Sequence, residues 1–277
     1  MDSPKARLKI LQSEYNQFKH YLEGLPPDAW SRPSACDRWR VADVVAHLSS
    51  RAFAVRISRG LEGDSSPPEG SPPVSAHDED AFAERIAHSA LSLRESLGND
   101  LLRTFIANGD ELNQIFAGLS PEDWDKLCYW PPGPEPIRTL LDVRISELTM
   151  HEWDIRSKLD PQYSLTDDAA RVLIDTVPRA VRRAFRADAT LSTPIRYRFI
   201  VAGPIPTSSD IAMSRDGTRI EPSGISKTDV TFQCDAETYV LVMYGRLTPE
   251  AAIADRRLSF EGDERLAAEF GRRFKGG

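Results

Sequence analysis

Apolar side chains recur at Leu8, Leu11, Tyr15, Phe18 and Leu22. This three-to-four-residue spacing predicts one amphipathic helix over residues 4–22. The stripe stops at the Pro26-Pro27 turn, an irregular stretch runs to Arg38, and Val41, Val44, Val45 and Leu48 begin a second helix. Residues 63–80 are rich in Gly, Ser, Pro and acid, and their two Pro-Pro pairs cannot propagate a helix, so a mobile loop is expected. A third long helix is predicted over about 80–116, broken or bent near Gly98 or Gly109, and a fourth over about 137–159. Four such helices make a bundle.

An internal echo supports that layout. Gly24-Leu25-Pro26-Pro27-Asp28-Ala29-Trp30 resembles Gly118-Leu119-Ser120-Pro121-Glu122-Asp123-Trp124, and each is followed by an irregular stretch and a helix. The echo makes the second and fourth helices equivalent, so their inner faces should meet near a pseudo-twofold axis. After Leu159 the texture changes. Residues 166–185 read as an amphipathic helix interrupted at Pro178, followed by strand-like runs at 195–201, 210–214, 218–221 and 229–234. Asp216-Gly217 is a hairpin turn signal. Helices are expected at 236–244, 248–255 and 263–274, with a short strand at 258–260. The chain therefore divides into a helical bundle, 1–162, and a smaller α+β domain with antiparallel strands, 163–277.

Composition narrows the function. With 277 residues, 40% apolar and 28% charged, two ordinary globular domains are affordable. No apolar run is long enough to span a bilayer, and Met1 to Arg7 lacks the apolar core of a secretory signal, so a cytoplasmic location is expected. A net charge of −7 with scattered Lys and Arg argues against nucleic acid as a partner. Cys36, Cys128 and Cys234 are odd in number and lack C-x-x-C spacing, and each is read as a small, partly buried side chain.

The chemistry concentrates on two helices. Glu147 and His151 stand four apart and share a helix face, a spacing that suits one metal ion, and His47 on the equivalent helix could be a third ligand. Three protein ligands leave an open position, as in catalytic zinc, although a nitrogen and oxygen set also fits nickel, iron or manganese. The same residues also have plainer readings: a solvated Glu/His helix pair, and a buried histidine bonded to a carbonyl. Asp154 and Asp43, each one turn from a histidine, could fix its tautomer or be surface acids. Trp39 and Trp153 could wall the site or belong to the core. His20, His77 and His88 are read as structural or surface residues.

The segments Trp39-Arg40-Val41-Ala42-Asp43-Val44-Val45-Ala46-His47-Leu48 and Glu147-Leu148-Thr149-Met150-His151-Glu152-Trp153-Asp154 resemble the mycothiol-dependent maleylpyruvate isomerase family, within the DinB-like bundles. The resemblance covers essentially the whole chain. It implies a DinB-like metal-binding four-helix bundle followed by a C-terminal α+β domain of sterol-carrier-like fold. It further implies His47, Glu147 and His151 as ligands of a divalent metal, usually Zn2+, and mycothiol or a similar thiol as cosubstrate. Tyr244-Gly245-Arg246 resembles the family's small-residue and arginine signature, which implies a catalytic Arg246 turned toward an anionic substrate. The expected function is a metal-dependent transferase or isomerase that adds a low-molecular-weight thiol to a small electrophilic metabolite. Two alternatives stay open: a thiol-independent metal-dependent hydrolase, epimerase or cyclase, and a noncatalytic protein that binds a small apolar ligand. The stretches 63–80 and 129–136 are expected to reshape the pocket mouth.

Overall fold

The computed structural model describes residues 3–69, 71, 78–131, 133–184, 191, 193–215, 217–224 and 226–273. The chain forms two compact units, Met1–Tyr163 and Ser164–Gly277.

The first unit is helical. Helix α1, Pro4–Glu23, starts where the Ser3 hydroxyl accepts the Ala6 N–H at 3.3 Å, and it buries Leu8, Leu11, Tyr15, Phe18 and Leu22. It is followed by α2 (Val41–Leu48), α3 (Ala52–Leu61), α4 (Glu79–Leu97), α5 (Leu101–Ala117) and α6 (Ile137–Leu159). Helices α1, α2, α5 and α6 pack as a bundle, with α4 lying along α2. The expected third helix is thus two. The break falls at Gly98, whose φ of +51° favours glycine, and a 3-10 turn spans Gly98–Asp100. Gly109 stays helical inside α5 and serves packing instead, because an added Cβ would sit 2.7 Å from Cζ of the buried Tyr15 ring. Helix α3 was not expected, because Arg51, Arg56 and Arg59 dilute the apolar stripe of Ala54 and Ile57. In the Gly- and Pro-rich stretch, the Asp64 carboxylate accepts from Arg59 Nε at 2.9 Å and from Ser66 N–H at 2.9 Å, while Asp78 caps α4. Within that stretch residues 70 and 72–77, His77 included, lie outside the described residues.

The echo extends beyond the matching sequence. Gly24 and Gly118 end α1 and α5 with their N–H groups bonded to His20 O and Gln114 O, and 3-10 turns carrying Trp30 and Trp124 follow. Each half then makes a small antiparallel pairing before its next helix. Pro33 bridges Arg40 ahead of α2, while β1 (Leu127–Cys128) pairs with β2 (Glu135–Pro136) ahead of α6. The same bond seals both: Val41 N–H donates to Arg32 O and Ile137 N–H to Lys126 O, each at 3.0 Å. Helices α2 and α6 are in contact, so the two loops flank their shared face.

The second unit opens with α7, Asp167–Ala184, which runs through Pro178 without interruption. The proline forfeits one helical bond, but Val172, Leu173, Val177 and Val181 bury a continuous apolar face across it. Strands β3 (Ile195–Ala202), β4 (Thr207–Ser214), β5 (Gly217–Pro222), β6 (Val230–Asp235) and β7 (Leu258–Gly262) form one sheet in the order β5-β4-β3-β6-β7. The expectation of antiparallel strands holds for three of its pairs and fails at β3 with β6, which run parallel. Asp216 lies outside the described residues. Helices α8 (Ala236–Met243), α9 (Pro249–Ala254) and α10 (Glu264–Arg273) complete the unit, whose core gathers Tyr197, Phe199, Phe232 and Phe270. Among the described residues no helix is long and apolar enough to cross a membrane.

Candidate metal centre

Helix periodicity aligns Glu147, His151 and Asp154 along one face of α6, and α2 delivers His47 from its last turn. His47 Nε2 lies 2.9 Å from Glu147 Oε2, and His151 Nε2 lies 3.6 Å from the same oxygen. The two imidazoles meet edge to face with centroids 4.9 Å apart, and the Trp39 ring covers both at 5.3 and 6.0 Å. One donor atom from each of His47, Glu147 and His151 falls within 4.8 Å of the others. The group is not sealed: Glu147 keeps 27% of its side chain exposed and His47 17%.

The far nitrogen of His151 is occupied. Nδ1–H donates to Asp154 Oδ2 at 2.9 Å, and Asp154 is fully buried, so the ring is held with Nε2 toward Glu147. Burial opposes charge on His151, but hydrogen bonds with Asp154, Cys36 and Glu147 outweigh it and carry the imidazole well above its ordinary pKa. Burial likewise works against the Glu147 carboxylate, yet its bonds with His151 and His47 hold it well below the usual range. At His47 burial prevails and lowers the pKa.

Other sequence candidates are placed elsewhere. Asp43 does not reach His47. One carboxylate oxygen accepts the Arg40 N–H at 2.8 Å, closing the start of α2, and the other pairs with Arg94 at 3.1 Å. Among the described residues Trp153 makes no ring contact with either imidazole. His20 and His88 are exposed. Arg246 belongs to the second unit, where Gly245 (φ +70°) turns the chain out of α8 and the Arg246 guanidinium donates to Tyr244 O at 3.1 Å.

Cys36 is partly buried, as expected, and it also has polar partners that the sequence did not indicate. Its thiol donates to Asp154 Oδ2 at 2.9 Å and lies 3.7 Å from His151 Nδ1, so it forms part of the support around the imidazole. The surrounding loop is anchored by Ala35 N–H bonding to Asp154 O at 2.7 Å, and by Trp39 N–H to Cys36 O at 3.0 Å with Arg38 at φ +72°. No periodicity in the sequence marks this residue.

The fold and site define a helical bundle with a histidine–carboxylate centre, joined in one chain to a mixed-sheet α+β unit. Residues 11–156 match the family model described as the mycothiol maleylpyruvate isomerase N-terminal domain, and residues 195–275 match the SCP-2 sterol transfer family. The chain belongs to the mycothiol maleylpyruvate isomerase N-terminal domain family. Two similar solved structures are those of the mycothiol-dependent maleylpyruvate isomerase and of its histidine-to-alanine variant. Each is 14% identical with a TM-score of 0.61, covering 89% of this chain and 91% of the other. The likeness bears on the fold, a bundle followed by a sterol-carrier-like α+β domain. Comparison with curated proteins gives no match.

Proposed function

We propose that the chain is a metal-dependent enzyme that uses mycothiol or a similar low-molecular-weight thiol to transfer sulfur to, or to isomerise, a small electrophilic metabolite. The observation that carries this reading is the meeting of His47 Nε2 and His151 Nε2 on one Glu147 oxygen, with His151 Nδ1 engaged by Asp154. Two imidazole nitrogens and one carboxylate fit a divalent cation and fall one short of a closed tetrahedral set, the pattern of catalytic zinc. When bound, such an ion lowers the pKa of a thiol and makes thiolate available at neutral pH.

The residues of the chain divide the remaining work. Asp154 keeps the proton on His151 Nδ1, so Nε2 stays a donor atom. Glu147 contributes one negative charge, which leaves a divalent site net positive and receptive to a thiolate. Trp39 excludes water from the imidazole side. Family membership, and the thiol dependence stated for the two similar solved proteins, support the choice of cosubstrate.

Metal content measured by elemental mass spectrometry on wild type and on His47→Ala, beside a mycothiol titration, tests the reading. About one zinc per chain is expected in wild type and none in the variant. A His151→Ala protein that keeps both the metal and thiol-dependent turnover refutes it. Turnover that needs metal but no thiol transfers the assignment to a hydrolase, epimerase or cyclase.

A further inference from the structure

Beside the metal centre stands a cationic, aromatic wall that the proposed chemistry has not used. Arg144 precedes Glu147 by three residues on α6, and its guanidinium lies 5.7 Å from the Phe53 ring centre. Phe53 meets Trp130 at 6.2 Å, and the Arg56 guanidinium from α3 lies 5.1 Å from the Trp130 ring centre and 5.6 Å from that of Tyr129. The β1–β2 hairpin supplies Tyr129 and Trp130, as the equivalent loop of the other half supplies Trp39.

Several buried or half-buried arginines elsewhere are paired with acids: Arg7 with Asp142, Arg156 with Glu152, and Arg198 with the fully buried Asp210. Arg144, only 5% exposed, donates instead to Leu48 O at 3.2 Å, and among the described residues no carboxylate stands within ion-pair distance of it or of Arg56. Glu147, one turn along α6 from Arg144, has its Oε2 already shared by two histidines. Keeping two half- to fully buried cations without acids is costly unless a ligand completes them.

We propose that Arg56, backed by Arg144 and floored by Trp130 and Phe53, is a subsite for a carboxylate of the reacting small molecules. The arginine fork accepts a carboxylate through two parallel bonds, and the aromatic rings take the planar carbon skeleton attached to it. The subsite deepens the proposed reading, because it stands beside the same centre and selects anionic partners. The carboxylate belongs to the electrophile, or to the thiol where that thiol carries a free carboxyl.

The zinc-loaded full chain, as wild type, Arg56→Lys and Arg56→Met, is titrated by calorimetry with benzoate and with neutral benzamide. N-acetylcysteine and its amide are compared in the same way. Arg56→Met is expected to weaken carboxylate binding about tenfold or more while leaving the neutral analogue unchanged, and Arg56→Lys is expected to fall between. A loss confined to benzoate assigns the group to the electrophile, and one confined to N-acetylcysteine assigns it to the thiol. Loss with neither overturns the subsite. If Arg56→Met does not fold by circular dichroism, wild type decides: equal affinity for benzoate and benzamide, and for N-acetylcysteine and its amide, overturns the proposal. Repeating the titrations after chelation separates the two readings, since Arg56-dependent binding that survives metal removal upholds the subsite even where the metal assignment fails.

Discussion

Asp154 touches no proposed reactant, yet replacing it should weaken the metal centre by a predictable amount. Its fully buried carboxylate accepts His151 Nδ1–H at 2.9 Å and the Cys36 thiol at 2.9 Å through one oxygen. Removing the carboxylate behind an imidazole ligand typically costs about 10- to 100-fold in metal affinity, or about 1.4–2.7 kcal/mol. Asp154→Asn keeps the shape, and its amide oxygen can still accept the Nδ1–H, so the loss should sit near tenfold. Asp154→Ala strands a buried imidazole N–H and should approach hundredfold. Zinc affinity measured by competition with a chromophoric chelator near neutral pH, with His47→Ala as the control, provides the assay. Affinities for both variants within about twofold of wild type would refute the argument that Asp154 holds the ring for metal binding.

Three further outcomes follow from packing and burial. Gly60→Ala places a Cβ 2.8 Å from Leu127 O and 2.7 Å from Cys128 Cβ, so β1 must shift. Chemical denaturation should show a loss of about 1–3 kcal/mol, and an unchanged midpoint would count against the packing argument. Gly109→Ala meets the Tyr15 ring, which is pinned by its hydroxyl to Ile106 O at 2.8 Å and Asp110 at 3.0 Å. A similar cost of about 1–3 kcal/mol is expected, and Tyr15→Phe should relieve only part of it because the ring remains. Burial pushes the Cys128 and Cys234 thiols up to about 12, so both stay protonated until strongly alkaline pH, with thiolate fractions on the order of one in ten thousand near pH 8. Ellman's reagent should therefore modify only the half-buried Cys36 in the native protein and all three cysteines after denaturation, and equal native rates at the three would contradict this.

Much of the architecture is written locally. The stripes at Leu8 to Leu22 and Val41 to Leu48 mark helix faces because a 3.6-residue period and a buried side are properties of consecutive residues. The i, i+4 relation of Glu147 and His151 is local in the same sense, and the Gly-Leu-Pro echo adds which two helices are equivalent. Arg51, Arg56 and Arg59 concealed α3, since periodicity treats all three as solvent-facing, whereas Arg56 lies against Trp130 and Tyr129 while Arg51 and Arg59 pair with Glu111 and Asp64. Pro178 misled in the opposite direction, because apolar burial along α7 outweighs one missing bond.

The sequence by itself determined the helix faces of the bundle, the change to strands after Leu159, and the pair of residues on α6 that could share an ion. Tertiary structure decided which distant side chains complete that pair. Cys36 stands 118 positions from Asp154, and His47 stands 100 from Glu147. It also decided that Asp43 caps a helix and pairs with Arg94 while Asp154 turns to the imidazole, and that β6 runs parallel to β3. The reason is physical: periodicity is enforced by bonds a few residues long, whereas these choices depend on how elements pack, and packing joins residues that share no local spacing.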